Sequence, residues 1–542
     1  MVKQILSPKK QILVYLSMSC IVLFVFSCGK NANSNKDHLA FRYNESSNIR
    51  SLDPAFALTL PELWVSNQLF NGLVQIDDDL NILPCIAKSW TISEDGLTYS
   101  FALRNDVHFH KHPLFGKDST RVVVAEDLKY SLNRLKNSKL ASPGSWILSK
   151  VKDFNVVSDT IFQVILKQPF PGFLGILAMK YCSVVPKEIV EYYANDFRKN
   201  PIGTGPFKFK RWEENIKLVF RKNPDYFEKD SLGNRLPYLE AVAITFLPDK
   251  QSEFLQFAQG NLDFLNSLYD SYKDELLTTD GKLRDLYAKD VNMIRGPYLN
   301  TEYIGFYLDS KTPEVQSELI RKAVNYGFDR QKMLTYLRNG IGKPAYGGFI
   351  PMGLAGHSGT IGYTYQPKRA QQLVEEFKKE SGIKNPQITL TAFSNDLSYC
   401  EFIQNELEKI GLIIQIDVMP PSTMRDARRN GKLDMFRSGW IADYIDAENY
   451  LSLFYSENFA PKGSNYFHYK NAEFDSLFNK SYSITTLNER AKLYTKMDSL
   501  AMQKSFMVPL YYDEVIRFAR KGVTGLGINP INLLDLKCVK KN

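Results

Sequence analysis

Apolar and polar positions alternate with a period of two through much of the first half of the chain. Thr98–Leu103 does so throughout, which predicts a strand with one face buried. Residues 154–157 and Ile161–Leu166 flank Ser158, Asp159 and Thr160, a turn composition between two strand-like runs, and so predict a hairpin. A second hairpin is predicted from residues 206–210 to residues 216–220. One helical stretch interrupts. Ala125, Glu126 and Asp127 open it with acids at the positive end of the helix dipole, and Leu128, Leu132 and Leu135 share a face. The second half changes period. A strand at 299–308 leads into a helix from Pro313 whose stripe is Leu319, Ala323, Tyr326 and Gly327; proline is favourable in a first helical turn. Helix 368–379 places Ala370, Leu373, Val374 and Phe377 together. There follow a strand at 387–393, a helix through Tyr399, Phe402, Ile403, Leu407 and Ile410 stopped by Gly411, and a strand at 412–418. A short basic helix near 422–430 and a strand at 433–438 complete the series, and residues 508–512 form a last strand. This β-α-β-α-β order predicts a largely parallel α/β sheet, and such sheets bind ligands beyond the C-terminal ends of their strands. The chain just after 433–438 is therefore the first place to look for a site.

The N-terminus has a different pattern. Lys3, Lys9 and Lys10 precede an apolar run at 12–26 and then Ser27, Cys28 and Gly29. A basic start, a short apolar core and small residues at its end describe a secretory signal. The run is shorter than the roughly 20 residues a spanning helix needs. Residues 29–38 are polar and read as a flexible tether.

Composition adds limits. The formal net charge is +9, and the leader's three lysines account for part of it. The remaining acids and bases are interspersed, which suits solubility and does not point to nucleic acid. Beyond Cys20 and Cys28, the cysteines Cys85, Cys182, Cys400 and Cys538 are far apart with no CxxC pair, which speaks against a zinc cluster and fits small buried hydrophobes. The 30 Tyr, 35 Phe and 5 Trp can build aromatic pocket walls or simply a large core.

Two stretches carry candidate chemistry. Residues 435–446 place Arg437, Gly439, Trp440, Asp443, Tyr444 and Asp446 at a strand end. A peptide zwitterion needs an anion for its ammonium, a cation for its carboxylate and apolar walls, and all three stand here within a dozen residues. Gly439 would let a ligand approach the backbone. Taken alone, the stretch reads more readily as a surface loop with an Arg–Asp pair. His108, His110 and His112 alternate, so on a strand they share one face and could hold a transition metal; a solvated strand face is the plainer reading. No GxSxG, HExxH or GxxxxGK[ST] motif occurs, so the expectation is a non-enzyme with no catalytic residues, no metal and no cofactor.

Several segments together resemble the peptide-binding family of ABC-transporter solute-binding proteins, extracellular family 5, which includes oligopeptide-, dipeptide- and nickel-binding proteins. They are Leu83-Pro84-Cys85-Ile86-Ala87-Lys88-Ser89-Trp90 with Glu94-Asp95-Gly96-Leu97-Thr98-Tyr99, then Val124-Ala125-Glu126-Asp127-Leu128, Ile202-Gly203-Thr204-Gly205-Pro206-Phe207, the helix from Arg321 to Arg330, and the loop from Trp440 to Asp446. The likeness runs from about Ser51 to Tyr512. Val25-Phe26-Ser27-Cys28 resembles a lipobox, with Phe26 departing from the usual small or aliphatic residue.

The resemblance implies an α/β, two-lobed, periplasmic-binding-protein-like fold of type II with an extra strand-rich subdomain in the first lobe. Residues 1–27 would be a signal peptide and 28–38 a lipid anchor, at Cys28, with its tether. Residues 39–75, 203–296 and 510–542 would form the first lobe's core, 76–202 the extra subdomain and 297–509 the second lobe. The implied function is capture of a peptide by hinge closure and delivery to ABC permease subunits, by a monomer held outside the cytoplasm by its lipid. Asp443 would pair with the ligand's α-ammonium, with Trp440 as a pocket wall, Arg437 facing the ligand, and Gly439 and Tyr444 beside them. Trp146 lies in a segment resembling a cleft strip, although Gly144 stands where a bulky residue is usual. The loop departs from the family's common form at Ile445 and Ala447. The same fold also hosts metal chelates, haem and glycans, and a lipoprotein hydrolase or chaperone is the alternative of a different class.

Overall fold

A computed structural model describes residues 39–269 and 271–542. The leader, Cys28 and the tether lie outside the described residues. No helix among those described is long and apolar enough to cross a membrane.

The predicted alternation at Thr98–Leu103 is realised: every second residue is buried. This strand is central in an antiparallel sheet ordered Ala87–Ile92, Thr98–Leu103, Ile161–Leu166, Val151–Ser158. Helix Ala125–Arg134 packs against it through Leu128 and Leu132. Asp127 starts that helix in two ways. Its carboxylate accepts the Val124 N–H at 3.0 Å and pairs with Arg121 at 2.7 Å. A second sheet is ordered Ala40–Glu45, Ala241–Phe246, Lys217–Lys222, Phe207–Glu213, its first pair parallel. Helix Leu60–Leu69 lies beside it. The Trp64 indole donates to the Asn532 carbonyl at 2.7 Å and the Gln68 amide to Leu534 at 2.8 Å, which ties the C-terminal segment to this part of the molecule.

The largest sheet holds the predicted β-α-β-α-β unit. Gln387–Ala392 runs parallel to both Ile413–Val418 and Met435–Ile441, with helices Leu397–Glu408 and Pro421–Arg429 as crossovers. Next to Met435–Ile441 the sheet turns antiparallel. The strand expected at 299–308 is one half of a longer one, Val291–Phe306, which pairs with the equally long Met507–Arg520. Pro297 has no N–H to give to this ladder, and the register slips between Pro297 and Thr301. The two ends of the strand pair enter different cores: Val291, Ile516 and Phe518 share one, and Ile304, Val508 and Leu510 another. The helix expected from Pro313 is divided. Ser317 is extended, with ψ 119°, and separates Pro313–Gln316 from Glu318–Tyr326.

Cys85, Cys182 and Cys400 are free and buried, as small hydrophobes are; Cys538 is also free but exposed. The three histidines differ in burial. His110 is buried, its ring held between the Gly203 N–H at 3.3 Å and the Gly205 carbonyl at 3.0 Å. His108 and His112 are only partly buried, and His112 bonds Tyr193 at 3.1 Å. The described residues contain no group of three or more His, Cys, Asp or Glu placed to hold a metal ion.

Candidate functional site

Strand Met435–Ile441 ends in a loop that turns back into the short helix Glu448–Leu451. Asn449, on that helix, sets the loop's shape. Its side-chain carbonyl accepts from the Trp440 indole at 3.0 Å and from the Asp443 N–H at 3.1 Å, while its amide donates to the Asp443 carboxylate at 3.3 Å. The Tyr450 hydroxyl anchors the helix to the Leu299 carbonyl at 2.6 Å. Asp446 accepts the Glu448 N–H at 2.9 Å and faces Arg490 at 3.4 Å. Ala447, with φ −66°, leads into this helix.

The loop meets the strand-rich subdomain. Tyr444 is buried, its ring 6.2 Å from Trp146 and 6.0 Å from Phe170, and its hydroxyl donates to Glu448. Two glycines permit the approach. A Cβ on Gly172 would stand 3.3 Å from Asp446, and one on Gly175 would stand 3.1 Å from Ile445. The result is a cavity of about 520 Å³, within the roughly 300–1,000 Å³ usual for small-molecule sites. One wall is the loop from Ile441 to Ile445. The others come from helix Leu60–Leu69, the hairpin of Val74–Ile76 and Ile82–Pro84, Trp146, the run from Ala178 to Tyr181, Tyr298, and the C-terminal segment between Gly525 and Lys537.

Asp443 reaches this cavity. Its side chain is accessible from the space it lines yet surrounded by protein on its other sides. That enclosure lifts its carboxyl above the usual carboxylate range, against the bond from Asn449. Among the described residues, no Lys, Arg or His lies within 4.0 Å of it. Its carboxylate therefore faces the cavity with Asn449 as its side-chain hydrogen-bond partner.

Of the residues singled out in the sequence, Asp443, Tyr444 and Trp146 line the cavity. Arg437, Gly439 and Trp440 are not on its wall. Arg437 is buried and paired with Glu302 at 2.6 Å and Asp396 at 3.6 Å, so its charge is matched inside the protein rather than facing a ligand. Gly439 serves the same ion pair: a Cβ there would stand 2.7 Å from the Glu302 carboxylate. Trp440 acts through Asn449, fixing the loop. Gly144 also has a structural reason, because the Tyr181 ring lies 2.6 Å from where its Cβ would be, so glycine here lets Tyr181 reach the cavity.

The residues that pattern reading missed are Asn449, Tyr181, Tyr298, Lys180 and Arg517. Burial lowers the Lys180 ammonium from its usual value, and it brings the Arg517 guanidinium down to about 10, with Asp78 and Asp535 opposing. None of these positions carries a motif; only the fold brings residues 180, 298, 443 and 517 to one space.

Comparison with known proteins agrees with this architecture. The model described as bacterial extracellular solute-binding proteins, family 5 middle, matches residues 81–462. The glutathione-binding protein GsiB of Salmonella typhimurium is 25% identical over 491 residues, covering 89% of this chain and 91% of that protein. The structure of HbpA2 from Haemophilus parasuis is similar with a TM-score of 0.81 at 23% identity, covering 93% of this chain and 100% of its own. DppA from Helicobacter pylori, a periplasmic binding protein solved in complex with the peptide STSA, gives 0.74 at 24% identity over 94% of this chain and 100% of its own. With the family's model matched across most of its length, this chain belongs to the bacterial extracellular solute-binding proteins of family 5.

Proposed function

We propose that this protein is the substrate-binding component of an ABC importer and that it encloses a short peptide whose α-ammonium pairs with Asp443. The observation that carries the reading is the Asp443 carboxylate on the cavity wall, which has a polarising neighbour in Asn449 and no cation within 4.0 Å among the described residues. An ammonium there makes a charge-assisted hydrogen bond in surroundings where such bonds are strongest. Trp146, Tyr181 and Tyr298 supply flat apolar walls with polar tips, suited to a variable side chain. A relative that binds glutathione and a similar fold that holds the peptide STSA support a peptide ligand.

Closure follows from the two long strands. Residues 39–75, 203–296 and 510–542 form one lobe's core, 76–202 its subdomain and 297–509 the second lobe. Val291–Phe306 and Met507–Arg520 cross between them, and the slip between Pro297 and Thr301 is the hinge. Closing brings the loop at 441–445 onto Trp146 and Gly175 and seals the ligand from water. Cys28 carries the lipid that holds the protein at the membrane, beside the permease. Native mass spectrometry of the purified mature protein, followed by denaturing release and sequencing of what co-purifies, tests the reading. Short peptides are expected; a sugar, haem or metal chelate as the released ligand would refute it.

A further inference from the structure

A cation for the other end of the ligand was expected at Arg437, which the fold consumes in its pair with Glu302. The cavity has three other cations: Lys180, Arg517 and Lys537. Lys537 is fully engaged, with Glu228 at 2.8 Å, Gln75 at 2.7 Å and Asp535 at 3.6 Å. Arg517 spends its two terminal nitrogens on the Gly527 carbonyl at 2.8 Å, the Leu533 carbonyl at 3.0 Å and Asn532 at 3.2 Å, and keeps only a buried, unpartnered Nε. Lys180 differs from both. It stands at the start of the single turn Lys180–Cys182, after helix Phe173–Leu177, half-buried on the cavity wall. Among the described residues its ammonium has no hydrogen-bond acceptor and no carboxylate within 4.0 Å; Asp535 and Glu228 act on it only through space, and both are held by Lys537.

Asp443 and Lys180 therefore line one cavity with opposite charges, and among the described residues neither has an opposite charge within 4.0 Å. A partly desolvated ammonium without a counter-charge is held at a cost, and so is such a carboxylate. One molecule carrying both complementary charges relieves the two costs together. Other acids do not take this role for Lys180. Asp77 is occupied by its own turn, accepting from Asn81 at 2.7 Å and Asp79 at 3.0 Å, and Asp78 lies in the field of Arg517.

We infer that Lys180 receives the ligand's carboxylate, so that the cavity selects a zwitterion gripped at both ends, its ammonium on the second lobe and its carboxylate on the subdomain. This rests on the peptide reading above and deepens it. A ligand that spans the lobes with its two charges makes closure depend on both termini being free, which a ligand held by its ammonium alone does not.

The test uses three randomised tripeptide libraries: with free termini, N-acetylated, and C-amidated. Retention by the full mature protein is read by native mass spectrometry, with thermal melting as a check of folding. Each blocked library should bind the wild type at least about tenfold more weakly, the scale of a hydrogen bond to a charged group. Lys180→Met should lose the distinction between free acid and amide and keep the penalty for N-acetylation; Lys180→Arg should restore the distinction. If Lys180→Met melts early, Lys180→Gln gives the same reading. A wild type that needs a free N-terminus but is indifferent to amidation overturns the Lys180 assignment and leaves the peptide reading standing. So does a Lys180→Met variant that still rejects amides. Failure of all three libraries on the wild type overturns both.

Discussion

Asp443 is the residue on which the proposed peptide recognition turns. In that proposal its setting matters: Asn449 orients the carboxylate, and the side chain stays open to the cavity. Asp443→Ala should weaken peptide binding by about 2–5 kcal/mol, the scale of removing one partner of a buried charge pair. Isothermal titration with the co-purified peptide measures it, and unchanged affinity would remove Asp443 from the site. His110 gives a second prediction of opposite kind. Burial lowers its pKa to about 4, and its Nδ1 accepts the Gly203 N–H, so the folded protein holds the imidazole neutral. A group whose folded pKa is depressed contributes stability that is present above its unfolded value and lost as the pH falls through the folded one. The melting temperature should therefore drop between about pH 6.5 and pH 4, and His110→Gln should flatten that part of the profile. An equal slope in the variant would assign the loss to other groups. The place of Asp443 on the cavity wall was legible because a strand end, a glycine and paired charges stand close in the chain. Arg437 was misjudged for the same reason. Nearness in sequence does not say which charge the neighbouring strand supplies, and here Val291–Phe306 brings Glu302 beside it.

At the scale of elements, the period-two and period-3.6 patterns located most strands and helices, because each buries one face against a core large enough to make the pattern visible. What they could not show is which elements meet. Ile202 to Phe207 looked distinctive, and its physical reason is close backbone packing. A Cβ on Gly203 would stand 2.1 Å from the Leu69 carbonyl oxygen, and one on Gly205 would stand 2.5 Å from that of Gln68. Gly175 plays the corresponding role where the loop meets the subdomain. Gly175→Leu should leave the melting temperature of the unliganded protein unchanged and weaken peptide binding by about 1–3 kcal/mol, the cost of forcing extra methylenes into a packed contact. Unaltered affinity would show that this contact is not part of the liganded state.

At the scale of the molecule, two long strands connect separate cores, and the cavity is lined by the loop at 441–445, the run from Ala178 to Tyr181 and the C-terminal segment. The change of character in the second half was visible in the sequence, because the chain there exchanges period two for the β-α-β order. The cavity was not, since Lys180, Tyr298, Asp443 and Arg517 are scattered along the chain and none sits in a motif. Closure about the slip near Pro297 predicts a smaller radius of gyration on adding peptide, measurable by small-angle scattering; an identical value with and without ligand would argue for a preformed, rigid cavity. The most direct test of the central claim is a crystal structure of the protein with the peptide that co-purifies. The account predicts the ligand's ammonium nitrogen within roughly 3.2 Å of an Asp443 oxygen. A ligand elsewhere, or one in the cavity with Asp443 left unpaired, would contradict it.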